Sequence, residues 1–211
     1  MLIGSQARGD ANERSDVDAL VVGSPASGDI DNLRMRFEEP LNLISFTGTN
    51  FRKLFEGGSL FLHHCFEEGI LLSGDGIQWQ RLRDRFQVQT DFSSVIGKCI
   101  LACRLMSQSE IFGGHYLAPY VNAYTQLKNA SIFFLAQRRK YRFNKDEAIR
   151  ETAEQLAFPG TDTIVSLRDI YDYSVRGLEL PLPFVLNDVT RGDAVLALVT
   201  DYMKRIDDAC R

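Results

Sequence analysis

Asp16 and Asp18 stand one residue apart near the start of the chain, a short polar spacer after Gly4-Ser5. Successive side chains of a β-strand point to opposite faces, so the two carboxylates project from one face of an extended segment. Val17, Ala19 and Val21 then point the other way, into a core. Two carboxylates held side by side repel unless something positive sits between them. A hard divalent cation meets that need, and Mg²⁺ favours one or two carboxylates together with substrate phosphates. Gly4 and Ser5 supply the complementary half, because backbone N–H groups at a tight turn or helix start attract a phosphate. These residues in this order imply a site for a metal-bound nucleoside triphosphate.

Placing such a site requires a short helical turn over residues 4–9, a polar loop over 10–15 and an apolar strand over 17–22. The run from Gly23 to Gly28 is a loop signal. Residues 31–39 suit a short helix or turn before Pro40. Leu41-Asn42-Leu43-Ile44-Ser45-Phe46 alternates as the next strand. Thr49 is the expected cap of a helix carrying Phe51, Leu54 and Phe55, and Gly57-Gly58 breaks it. A further helix covers 60–68, and residues 69–75 read as a last short strand and turn. This alternation predicts an α+β protein whose small mixed sheet, over residues 1–88, is covered by helices.

The pattern changes over residues 91–211. Apolar residues recur at three- and four-residue spacing over 93–112, 116–139, 145–157, 162–175 and 193–209, which predicts amphipathic helices. Short connections and one apolar stripe per helix predict an antiparallel bundle. Cys99 and Cys103, four apart, read as small core residues on one face. Tyr116, Tyr120 and Tyr124 read as packing, and Trp79 as a packing anchor at the junction. A metal site at His63-His64-Cys65 is disfavoured, since three consecutive helical residues point in different directions.

Gly4-Ser5, the Ala7-Arg8-Gly9 that follows, and Ser15-Asp16-Val17-Asp18 before an apolar run together resemble the DNA polymerase β-like nucleotidyltransferase superfamily. The small bacterial branch of minimal and antibiotic-modifying enzymes is the nearest likeness. The resemblance implies Mg²⁺-dependent transfer of a nucleotidyl group, AMP from ATP or another NTP, to a hydroxyl of a small molecule or protein. Mn²⁺ is an alternative metal. By the same resemblance Asp16 and Asp18 hold metal, and Gly4 and Ser5 hold phosphate. Arg8 either touches phosphate or ties loop to strand. Pockets favour domain interfaces, so the ligand is expected between the two halves. The second half resembles the helical bundles, including those of the HEPN type, found with such domains. A nuclease of that type would need Arg four to six residues before His; His63, His64 and His115 lack one, so nuclease action is not expected.

The resemblance also implies a third carboxylate on the neighbouring strand, where this chain has Asn42. An amide oxygen can ligate Mg²⁺ but brings no charge and takes no proton. Loss of a general base costs about 10²–10⁴ in rate. Three readings stay open: a nearby acid (Asp29, Asp31, Glu38 or Glu39) stands in, the substrate needs little base assistance, or the site binds nucleotide without efficient turnover. The last would make the chain a regulatory, antitoxin-like module. Only Met1-Leu2-Ile3 precede the glycine turn, so an upstream start, or a second copy or partner protein on the sheet edge, is expected.

A net charge of −4 disfavours a nucleic-acid coat. The imbalance lies in the first 90 residues, with 13 acidic against 9 basic, and the remainder is balanced. That acidic half is the one expected to hold a cation. Arg138-Arg139-Lys140-Tyr141-Arg142 ends a helix, where positive charge complements the dipole. Neither a membrane span nor an apolar leader is evident, and the four cysteines form no metal or disulfide pattern, so a cytoplasmic location is expected.

Overall fold

Three short strands, β1 (Leu2–Ile3), β2 (Val17–Val22) and β3 (Leu41–Phe46), form one sheet in that order. They belong to a computed structural model that describes residues 1–13, 15–23, 28, 31, 35, 41–106 and 112–211. β1 pairs antiparallel with β2, and β2 pairs parallel with β3, so the sheet is mixed. The chain divides into two units, Met1–Gln89 and Thr90–Arg211.

In the first unit the sheet is followed by α2 (Gly48–Glu56), α3 (Leu60–Glu68) and α4 (Gly76–Arg85), while α1 (Gly4–Arg8) links β1 to β2. Leu20 packs with Ile3 and Cys65, and Ile44, Phe46 and Phe61 close around them. A second cluster joins Phe51, Leu62 and Phe66, with Trp79 resting 4.6 Å from the Phe66 ring, centroid to centroid. Burying each such side chain stabilises the unit by about 1.5–3 kcal/mol. Cys65 belongs to this packing. Burial pushes its thiol up to about 12, which makes it an inert, small apolar group.

The structure corrects three expectations here and adds one helix that was not expected. Leu20 lies two residues beyond Asp18 on the same strand and is only 2% exposed. The aspartate face therefore also carries core, because helices cover it beyond Asp18. The cap of α2 is Thr47, not Thr49; its hydroxyl accepts from Asn50 N at 3.2 Å. Residues 69–75 contribute a single bridge, Ile70 to Leu2, rather than a strand. The helix α4 has no fully buried residue, but Trp79 and Leu82 are half-buried against the second cluster. Asp75 caps it, accepting from Ile77 N and Gln78 N at 2.9 and 3.0 Å. Of the helix or turn expected over 31–39, most lies outside the described residues.

The second unit is built from α5 (Ser93–Met106), α6 (Leu117–Gln137), α7 (Lys145–Gln155), α8 (Thr161–Val165), α9 (Leu167–Arg176) and α10 (Val189–Cys210). α6 is central and touches α5, α7, α9 and α10. Tyr116, Tyr120 and Tyr124 are buried at or along it. Tyr116 donates to Asp193 Oδ1 at 2.7 Å and Tyr124 to Asp146 Oδ1 at 3.0 Å, so these two phenols keep a partner inside. Cys99 and Cys103 are both buried in α5. The basic run after α6 serves structure: Arg138 donates to Ala209 O at 2.8 Å, and Lys140 and Arg142 pair with Glu151. One expected helix over 162–175 is two, α8 and α9. The Ser166 hydroxyl donates back to Thr163 O at 2.8 Å, a bond that competes with continued helix.

Candidate functional site

Asp18 lies on the central strand β2, so it has a neighbour on each side. Its register partners are Ile3 on β1 and Asn42 on β3. Residues paired across a ladder share a face, which puts the Asn42 side chain beside the Asp18 carboxylate. Asn42 Nδ2 donates to Asp18 Oδ1 at 2.8 Å. Asp16 lies one residue before β2 rather than inside it, and both aspartates are half-buried.

The other oxygen of Asp18 faces Gly4. Gly4 has φ +74°, the left-handed region, and a Cβ built there would stand 2.6 Å from Asp18 Oδ2. Only glycine satisfies both demands, since its backbone enters that region freely and it leaves the space open. α1 begins at this residue, and its N-cap, Ile3, offers no side-chain cap. The first N–H groups of a helix have no partner within it. Ser5 therefore sits, half-buried, in the turn whose N–H groups are available to an anion.

Gly4→Ala should destabilise the first unit by about 1–2 kcal/mol, the cost of a non-glycine residue in the left-handed region. The added methyl also displaces the Asp18 carboxylate. Urea unfolding of the variant against the wild type measures this.

Arg8, the third residue expected at the phosphate, is drawn into a network of its own. It donates to Asp10 Oδ2 at 3.2 Å and to Glu68 Oε2 at 3.2 Å. His64 Nε2 lies 3.0 Å from the same Glu68 oxygen. Burial disfavours the charged form of Glu68, yet the His64 and Arg8 contacts outweigh it and hold the carboxyl below its ordinary 4.5. Arg8 thus fastens α1 to α3 and sets the start of the glycine turn against the helical layer. The pairing of His64 with Glu68 was legible as an i,i+4 pair on an expected helix. Its link to Arg8, 60 residues earlier, carried no local signal.

Burial also lowers the His63 imidazole from its ordinary 6.5, more than Glu67 and Glu68 raise it. On acidification the unfolded chain takes up that proton first, so its contribution is intact above pH 6.5 and declines below it. The Glu68 contribution is intact above pH 4.5 and is lost as pH falls through its lowered folded value. The first unit should therefore lose stability in two steps on acidification, and Glu68→Gln should remove the lower one. Trp79 fluorescence during urea unfolding at stepped pH reads both.

Residues 1–47 match the family model of the nucleotidyltransferase domain. That match covers β1, α1, β2 and β3, the elements that place Gly4, Asp18 and Asn42 together. It supports the DNA polymerase β-like superfamily for this segment and nucleotidyl transfer as its general activity. No curated protein and no solved structure matches the chain.

The chemistry of Asp18 in the matched segment suits a hard cation. Asp18 turns one carboxylate oxygen, a hard donor, toward the space that a Cβ at Gly4 would take. Among the described residues no group of three or more His, Cys, Asp or Glu side chains is placed to hold a metal ion. Of the acids named as substitutes for Asn42, Asp31 is exposed. Asp29, Glu38 and Glu39 lie outside the described residues. Among the described residues no helix is long and apolar enough to cross a membrane.

Proposed function

We propose that the first unit binds a nucleoside triphosphate, ATP by preference, with Mg²⁺ and passes its nucleotidyl group to a hydroxyl. The single observation that carries this is the placement of Asp18 on the central strand, one oxygen against Gly4, within a segment matching a nucleotidyltransferase domain. Asp16 and Asp18 would hold the cation. The backbone of Gly4 and Ser5 would hold the terminal phosphates through the open N–H groups of α1. What the cation supplies when bound is neutralisation of the polyphosphate charge.

The chain's own work is positioning, which dominates phosphoryl-type transfers. The acceptor oxygen forms a bond to the α-phosphorus and loses its proton to water, the bond from that phosphorus to the bridging oxygen breaks, and pyrophosphate leaves with the electron pair. Asn42 cannot take the hydroxyl proton. That favours a second reading, in which the unit binds nucleotide as a regulatory module and transfers it slowly. The acceptor is a small molecule or a protein.

Incubation of the full chain with α-labelled ATP, Mg²⁺ and a cell lysate separates the two readings. Label on a lysate component, dependent on chain and metal together, supports transfer. Nucleotide binding without label supports the regulatory module, and neither result overturns both.

A further inference from the structure

The hydrogen bond between Asn42 and Asp18 has a consequence for how many cations the site holds. Asp18 and Asn42 are register partners on parallel strands, with Nδ2 donating to Oδ1 at 2.8 Å. The amide N–H occupies the place that a positive charge would take between two facing carboxylates. Strands β2 and β3 can therefore close on each other here with no ion between them. Asn42 presents a neutral amide where a facing carboxylate would add a second negative charge beside Asp18.

Asp18 Oδ2, on the Gly4 side, is the oxygen not engaged by Asn42. A carboxylate that bridges two metal ions gives an oxygen to each. In this chain one oxygen already faces an N–H donor, whose partial positive charge repels a second cation.

We propose that Asn42 is a positioning residue that restricts the site to one divalent cation per bound nucleotide. It orients the Asp18 carboxylate by hydrogen bonding and withholds the charge a second ion needs. This deepens the nucleotide-binding reading above and rests on it.

Equilibrium dialysis of the full chain against Mn²⁺ and an α,β-methylene analogue of ATP tests it, with metal and nucleotide counted separately. The wild type should retain Mn²⁺ and analogue in a ratio of about one to one. Asn42→Asp should raise that ratio to about two to one, because a second facing carboxylate then requires a second ion. Asn42→Ala, which removes the donor without adding charge, should stay at one to one. These ratios do not depend on turnover, and a merely structural role for Asn42 would leave them unmoved. A wild-type ratio of two overturns the proposal even if a variant misfolds, and so does a folded Asn42→Asp that stays at one. Failure of the wild type to retain any analogue overturns the nucleotide-binding reading itself, a result distinguishable from either ratio.

Discussion

Asp18→Asn should lower nucleotidyl transfer by about 10²–10⁴-fold while leaving the fold intact. The substitution keeps the side chain's size and can still meet Asn42, so neither the sheet register nor the Leu20 cluster has reason to move. What it removes is one of the two charges proposed to hold a cation against a polyphosphate. Electrostatic stabilisation of that kind is worth several kcal/mol, and each 1.36 kcal/mol is tenfold in rate, which sets the expected range at about 10²–10⁴. Labelled-nucleotide turnover measures the loss, and far-ultraviolet circular dichroism confirms the fold. Retained turnover would mean that Asp18 is a structural residue of β2.

In the second unit the largest effect is expected from Asp172→Ala, at about 3–5 kcal/mol of stability, the range for removing one partner of a buried charge pair. Asp172 is 2% exposed and lies between two guanidinium groups. Arg168 Nε is 3.4 Å from its Oδ2 and Arg176 Nη1 is 3.3 Å from its Oδ1. Arg168 also reaches Asp146 Oδ2 at 2.6 Å, and Asp146 accepts from Tyr124. Lys128, 4.4 Å from the Tyr171 ring, is a third cation nearby; burial lowers its pKa and Asp172 opposes that shift. Alanine at 172 would leave these cations facing a lost counter-charge, whereas Asp172→Asn keeps an acceptor and should cost less. Urea unfolding followed by circular dichroism ranks the three chains. An unchanged midpoint in Asp172→Ala would show that water takes over the carboxylate's role.

How much of this was legible in the sequence depended on whether the cause was local. Strand β3 was readable because Leu41 to Phe46 alternates, and α3 because Gly57-Gly58 precedes it and Gly69 follows it. The Gly4-Ser5 and Asp16-x-Asp18 pattern was readable because it needs only a turn and a period of two. The position of Asn42 beside Asp18 followed from strand order, although the hydrogen bond between them did not. Thr49 was mistaken for a cap because Thr47 and Thr49 are alike in type, and only the backbone decides which one stands outside the helix. Helix α4 went unread because its packed face is narrow: Trp79 and Leu82 are its half-buried contacts with the Phe51 cluster, among mostly polar residues. The break at Ser166 was hidden by an apolar pattern running through Ile164, Val165, Leu167 and Ile170 on both sides of it. Arg8 shows the remaining limit. A charged residue beside a phosphate motif invites a ligand role, and its tie to Glu68 appears only when α1 and α3 meet.

Calorimetric titration of ATP into the full chain with and without Mg²⁺, repeated on Asp16→Ala, addresses the central claim most directly. Saturable binding that requires Mg²⁺ and disappears in Asp16→Ala is the predicted result. Absence of binding by the wild-type chain, or equal binding by Asp16→Ala, would contradict it.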